Sequence, residues 1–155
     1  MTRIGLTLNE TKTKLREART ERFDFLGYSF GPYRDPKNAK SYLGAAPSPK
    51  SRQRLKGKVH ALTSRGNLLP WPEVCQKLNR LLRGWQGYFD YGTLGDAYDE
   101  VNWSVAERVR HFLRRRHKVR SRGTRQFSAE SVFGDLGVLK LSRKPQRVDT
   151  LHALA

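Results

Sequence analysis

The hydrophobic pattern of the chain changes period once, at Ser48-Pro49, and that change leaves few architectures open. Before it the residues favour extended structure. Leu6-Thr7-Leu8-Asn9 alternates as a short strand, and Lys12 to Ala18 and Arg22 to Phe30 follow as extended segments, with Phe23, Phe25, Tyr28 and Phe30 supplying β-favouring bulk. Gly31-Pro32 is expected to end the second segment. Asp35-Pro36-Lys37-Asn38 has turn chemistry, so Ser41-Tyr42-Leu43-Gly44 returns as a third strand. After Ser48 the apolar residues recur at helical spacing. Ser48 caps a first helix with Pro49 at its first position; Leu55, Val59 and Leu62 share one face and Lys50, Arg54 and Lys58 form a row on another, until Gly66-Asn67 stops it. From Pro70 and Pro72 a second helix runs to about Tyr88, carrying Val74, Leu78, Leu81, Leu82, Trp85 and Phe89. Gly84 and Gly87 interrupt it, and close packing against another helix is favoured over close approach of nucleic acid as their reason. A third helix begins near Asp96, with Tyr98, Val101, Val105, Val109, Phe112 and Leu113 as its buried stripe and its basic end reaching Lys118. A short helix (Ser128 to Leu136) and a brief strand (Val138 to Leu141) complete the pattern. The fold class is α+β: a small antiparallel hairpin or sheet, then a mainly α-helical region.

Charge adds the next constraint. Lys and Arg number 31 and Asp and Glu 14 among 155 residues, a formal charge of +17 at pH 7. Such an excess destabilises a compact state unless a polyanion offsets it. It is also concentrated. No acid lies between Asp35 and Glu73, and Arg108 to Arg125 holds nine basic residues and no acid. A solubilising face would mix both signs, so these stretches are candidate phosphate tracks. No run has the roughly 18 apolar residues a membrane helix needs, and the expected location is cytoplasmic. Cys75 is the one cysteine and the four histidines are scattered, so no zinc-type grouping is present in the sequence.

Catalytic signatures are wanting. There is no phosphate-cradling Gly-rich loop, no G-x-S-x-G elbow and no aspartate pair of polymerase type. Asp24, between Phe23 and Phe25, reads as the solvent-facing residue of a strand. His60, His111 and His117 sit among cations, where contact with phosphate suits an imidazole better than metal ligation. Aromatic residues interleave with arginines from Arg83 to Tyr91, which lets base stacking and phosphate neutralisation occur side by side. Trp85 and Phe89 have core spacing; Tyr88 and Tyr91 are the better stacking candidates.

At several points the residues carry a resemblance. Leu6-Thr7-Leu8-Asn9 with Lys12-Thr13, and then Phe25-Leu26-Gly27-Tyr28, resemble the late palm motif and the primer-grip hairpin of group II intron-encoded reverse transcriptases. Lys50-Ser51-Arg52 opening a helix, Leu78-Asn79 followed by Leu82-Arg83-Gly84-Trp85 and Tyr88-Phe89, and the helix end at Arg116-His117-Lys118 resemble the thumb and maturase-specific domain of the same family. In that family the catalytic aspartates sit in a Y-A-D-D-type turn that precedes the matching segment. No such turn occurs in this sequence. The cysteine pairs and H-N-H residues of the family's endonuclease are missing as well.

The resemblance implies three parts: residues 1–46 as the end of a reverse-transcriptase palm, 47–127 as a helical thumb and maturase-specific RNA-binding domain, and 128–155 as the end of that domain with a tail. It implies a maturase-type protein that binds structured group II intron RNA and assists its folding and splicing, without catalytic residues, metal or cofactor of its own; magnesium would belong to the RNA or to the missing polymerase portion. RNA contacts are expected from Lys50, Arg52, Arg54, Lys58, Arg83, Tyr88, Tyr91, Arg110, Arg114, Arg115, Arg116, His117, Lys118 and Arg120. Phe25, Leu26, Gly27 and Tyr28 would correspond to the primer grip, and Asn9 and Lys12 to the late palm motif. A template-primer duplex is a further expected partner, self-association through an exposed palm remnant is an option, and no membrane is expected. The alternatives are a truncated reverse transcriptase without independent activity and a general basic nucleic-acid-binding module.

Overall fold

The computed structural model describes residues 20–34 and 39–143. The expected strand at Leu6 to Asn9, the segment from Lys12 to Ala18, the positions Asn9 and Lys12, the turn at Asp35 to Asn38 and the tail after Arg143 lie outside the described residues. Within them the order is β1 (Phe23–Phe25), β2 (Tyr28–Arg34), β3 (Ser41–Pro47), α1 (Pro49–Leu62), α2 (Trp71–Tyr88), α3 (Gly95–Arg116) and α4 (Ala129–Phe133). The fold is α+β, a three-stranded antiparallel sheet in the order β1-β2-β3 followed by helices.

The residue pattern from Arg22 to Phe30 reads as one extended segment, but the segment is a tight hairpin, as the resemblance of Phe25-Leu26-Gly27-Tyr28 implies. Phe25 pairs with Tyr28, and Leu26 and Gly27 turn the chain between them with φ of 48° and 81°. Positive φ at both central residues is the type I′ geometry whose twist matches that of the flanking strands. Gly27 suits the second position for two reasons: its φ is left-handed, and a Cβ there would lie 3.0 Å from Ser51 Oγ and 3.2 Å from the Phe89 ring. Nor does Gly31-Pro32 end β2. Strand β1 stops pairing at Phe23 opposite Phe30, so among the described residues β2 beyond that point pairs with β3 alone, and an edge tolerates a proline.

Helix α1 begins as its sequence dictates. The Ser48 side chain accepts from the Ser51 N–H, and Pro49 occupies the first turn. It ends at Leu62, short of Gly66-Asn67, because two side chains take over its last carbonyls: Thr63 Oγ1 donates to Val59 at 2.8 Å and Asn67 Nδ2 to Leu62 at 2.7 Å. Leu55 and Val59 of α1, Val74, Leu78 and Leu82 of α2, and Val101, Val105 and Val109 of α3 form the core, closed by Phe127, Val132, Val138 and Leu141. Tyr98, buried on α3, donates to the Phe89 carbonyl at 2.6 Å and so satisfies the end of α2.

Two further expectations are corrected. Gly84 and Gly87 do not serve helix packing: both are exposed, and a Cβ at either would meet nothing within 4 Å. The segment Val138 to Leu141 pairs with no strand among the described residues. It is a strap laid across α2 and α3, held by side-chain amides. Asn79 donates to Gly137 O and accepts from Leu139 N; Asn102 donates to Leu141 O and accepts from Leu141 N; Gln86 donates to Ser142 O. Each pair does what a neighbouring strand would do for a backbone that must not be buried unpaired. The helix expected from Ser128 to Leu136 is the shorter α4, capped by Ser128 and ended at Gly134.

Candidate nucleic-acid interface

The hairpin turn is seated on the helices rather than beside them. The Gly27 carbonyl accepts from Ser48 N at 2.8 Å and from Ser51 Oγ at 2.9 Å, at the start of α1 where unpaired N–H groups gather. Tyr88, at the end of α2, donates to Leu26 O, and Tyr28 donates to Tyr88 O. Burial raises the Tyr28 hydroxyl pKa above its ordinary value, so it remains a donor at neutral pH. Between turn, α1 and α2 lies a groove of about 530 Å³. Arg54 and Lys58 line it from α1, and Arg80, Gly84, Trp85 and Tyr88 from α2; no acidic side chain does.

A second basic surface forms where α3 ends. Arg114, Arg115 and Arg116 occupy its last turn, opposite in charge to the exposed carbonyls there. Two bonds close the helix: Lys118 N–H donates to Arg115 O at 3.2 Å and Val119 N–H to Arg114 O at 3.0 Å. This is a Schellman closure, and its left-handed residue is Lys118, with φ of 51°, where glycine is the usual choice. Lys118, His117 and Arg120 are all exposed.

The expected RNA-contacting residues divide sharply. Lys50, Arg54, Lys58, Arg83, Arg115, His117, Lys118, Arg120, Tyr88 and Tyr91 are exposed, and Arg114 is partly so. Arg52, Arg110 and Arg116 are instead engaged within the fold. Arg52 and Lys56 of α1 both pair with Glu100 of α3. The Lys56 hydrogen bond, aided by the Arg52 charge, holds the Glu100 carboxyl below its ordinary pKa against the opposing effect of burial. Arg110 pairs with Glu107 and donates to Phe127 O at 2.9 Å. Arg116 lies over the Phe112 ring and donates to Leu68 O and Leu69 O, which fixes the loop between α1 and α2. Tyr91, 73% exposed, stands apart from the first groove and lines another with Phe30, Leu43 and Arg143. Phe25 and Leu26, at 60% and 68%, are exposed while Gly27 and Tyr28 are docked.

Residues 52–128 match the family model of the group II intron, maturase-specific domain. Through this domain the chain belongs to the group II intron maturase family. A search of curated proteins finds no match. The matched stretch takes in all of α2 and α3 and most of α1, so both basic surfaces fall largely within the maturase domain, while the sheet and the strap flank it.

The family motif from Asn79 to Phe89 separates into distinct tasks. Asn79 holds the strap, Gly84 and Trp85 line the groove, Tyr88 receives the hairpin and Phe89 is buried. Arg80 is absent from the residues expected to bind RNA, although it lies between Lys77 and Gly84 at the i, i+3 and i+4 spacing that puts them on one helix face. Trp103, 70% exposed on α3, is absent from them too, and its signal is its position outside the buried stripe. Cys75 is half-buried, its thiol donating to Leu136 O, and burial pushes its pKa up, which disfavours the thiolate.

Proposed function

We propose that this maturase-family chain is an RNA-binding protein that grips structured group II intron RNA, stabilises its active fold and so promotes splicing, with the RNA supplying the catalysis. The observation that carries this reading is the end of α3. A lysine held in a left-handed conformation that glycine adopts without strain, next to Arg114, Arg115 and Arg120, makes sense where its charge is worth more than the strain. Arg54, Lys58 and Arg83 extend the phosphate contacts, and Tyr88 and Tyr91 offer stacking faces. The protein needs no metal or cofactor of its own on this reading and works in the cytoplasm.

The test is binding to intron RNA across a salt series. Replacing Arg114, Arg115 and Lys118 with Ala should weaken binding and reduce the slope of log K against log salt by about 0.7–0.9 for each phosphate no longer neutralised. Arg116 is left in place because it holds the loop carbonyls. An unchanged slope overturns the assignment.

One observation favours a second reading, that the chain is part of a larger RNA-directed DNA polymerase. Phe25 and Leu43, which the register puts on one face of the sheet, are exposed at 60% and 57%, apolar side chains suited to a further protein surface or to a second copy of the chain. Primer extension by the isolated chain with magnesium, and its sedimentation behaviour, separate these: synthesis would make it an enzyme, and concentration-dependent dimers would assign the surface to self-association.

A further inference from the structure

The groove between the hairpin turn, α1 and α2 has three properties that bear on a ligand. Its cations come from two helices, Arg54 and Lys58 on one and Arg80 on the other, and none has an ion pair among the described residues. Its wall includes Gly84, a glycine inside a helix whose missing side chain leaves only open space. Glycine weakens a helix interior and needs a reason, and packing supplies none here. Its rim is apolar and exposed, from Leu26 on the turn and Tyr88 on α2.

Together these describe a site for something both anionic and planar. A phosphate meets the three cations, and a flat apolar body enters where Gly84 leaves the wall low, against the exposed Tyr88 ring. We infer that the groove takes one unpaired nucleotide of an RNA strand, a bulged or looped-out residue, its phosphate neutralised by Arg54, Lys58 and Arg80. A groove of about 530 Å³ falls within the size range of small-ligand sites. Bases in a continuous duplex are stacked inside it and cannot enter, so the groove reads RNA shape, which the phosphate contacts at the end of α3 do not. The inference rests on the RNA-binding reading above and names what part of the RNA this surface selects.

The experiment uses the whole chain with two RNA hairpins that differ by one bulged nucleotide, each in competition with heparin. The bulged hairpin should bind about tenfold tighter than the fully paired one, the worth of stacking one base. Gly84→Leu fills the groove from a position open to solvent, and should bring the ratio of the two affinities to about one. Arg80→Gln removes one of the cations that meet the phosphate, and should lower the ratio partway. The inference is overturned if the wild type binds the two hairpins alike, or if both variants keep the preference. If neither hairpin binds above the heparin background, the RNA-binding reading falls, and the groove inference with it.

Discussion

Lys118 concentrates in one residue the conflict between stability and binding. At the left-handed position of a Schellman closure a β-carbon crowds the following carbonyl, a strain of about 1 kcal/mol that glycine escapes. Lys118→Gly should therefore stabilise the fold by about that amount, or somewhat less after glycine's greater freedom in the unfolded chain is counted. The same change should weaken RNA binding and lower its salt slope by about the share of one phosphate. Urea denaturation and RNA binding on the same variant check both halves, and a variant that loses stability would show that the lysine side chain has a structural role. Such a residue is legible in the sequence as a cation but not as a strained one, because its φ is set by how α3 terminates. Arg52 and Arg116 are illegible for a related reason. Their partners, Glu100 and the Leu68 and Leu69 carbonyls, lie 47 or 48 positions away in the chain, beyond any local pattern.

Among the elements, those legible in the sequence are the ones that neighbours in the chain decide. Ser48 and Ser128 cap helices because a hydroxyl three residues ahead of a backbone N–H is a local arrangement, and the stripe on α3 follows from its own period. The strap is hidden because long-range contacts decide it, and the hairpin turn is legible through the resemblance carried by Phe25-Leu26-Gly27-Tyr28 but not through local alternation. The Gly27 carbonyl is fixed by α1, and the strap by amides of two helices. Between α1 and α3, Glu100 joins Arg52 and Lys56, and this gives a pH dependence of known sign. Its folded pKa lies below the ordinary 4.5, so its contribution is complete above that value and is lost as pH falls through the lowered one. With Glu100 39% exposed, solvent screening keeps the contribution below about 1 kcal/mol. The stability advantage of the wild type over Glu100→Gln, followed by urea denaturation from neutral pH into acid, should shrink below pH 4.5; an advantage that persists at the acid end would refute the ion-pair account.

For the whole molecule a charge of +17 remains after the 14 acids are set against the 31 basic residues, and it opposes compaction. Added salt should therefore stabilise the free protein, since at 0.1 M the Debye length is already down to about 10 Å and repulsion between separate basic surfaces is screened. Structured RNA should raise the melting temperature further, by linkage, and the same salt should erode that second effect. Thermal melts over a salt series with and without RNA distinguish the two, and a melting temperature that falls with salt in the free protein would contradict self-repulsion. The strap, finally, dictates an order of events during synthesis. Asn79, Gln86 and Asn102 are made well before the backbone groups at 137–142 that satisfy them. Until that stretch lies across them, α2 and α3 would carry three side-chain amides without their backbone partners, so the domain is closed by its later-made segment.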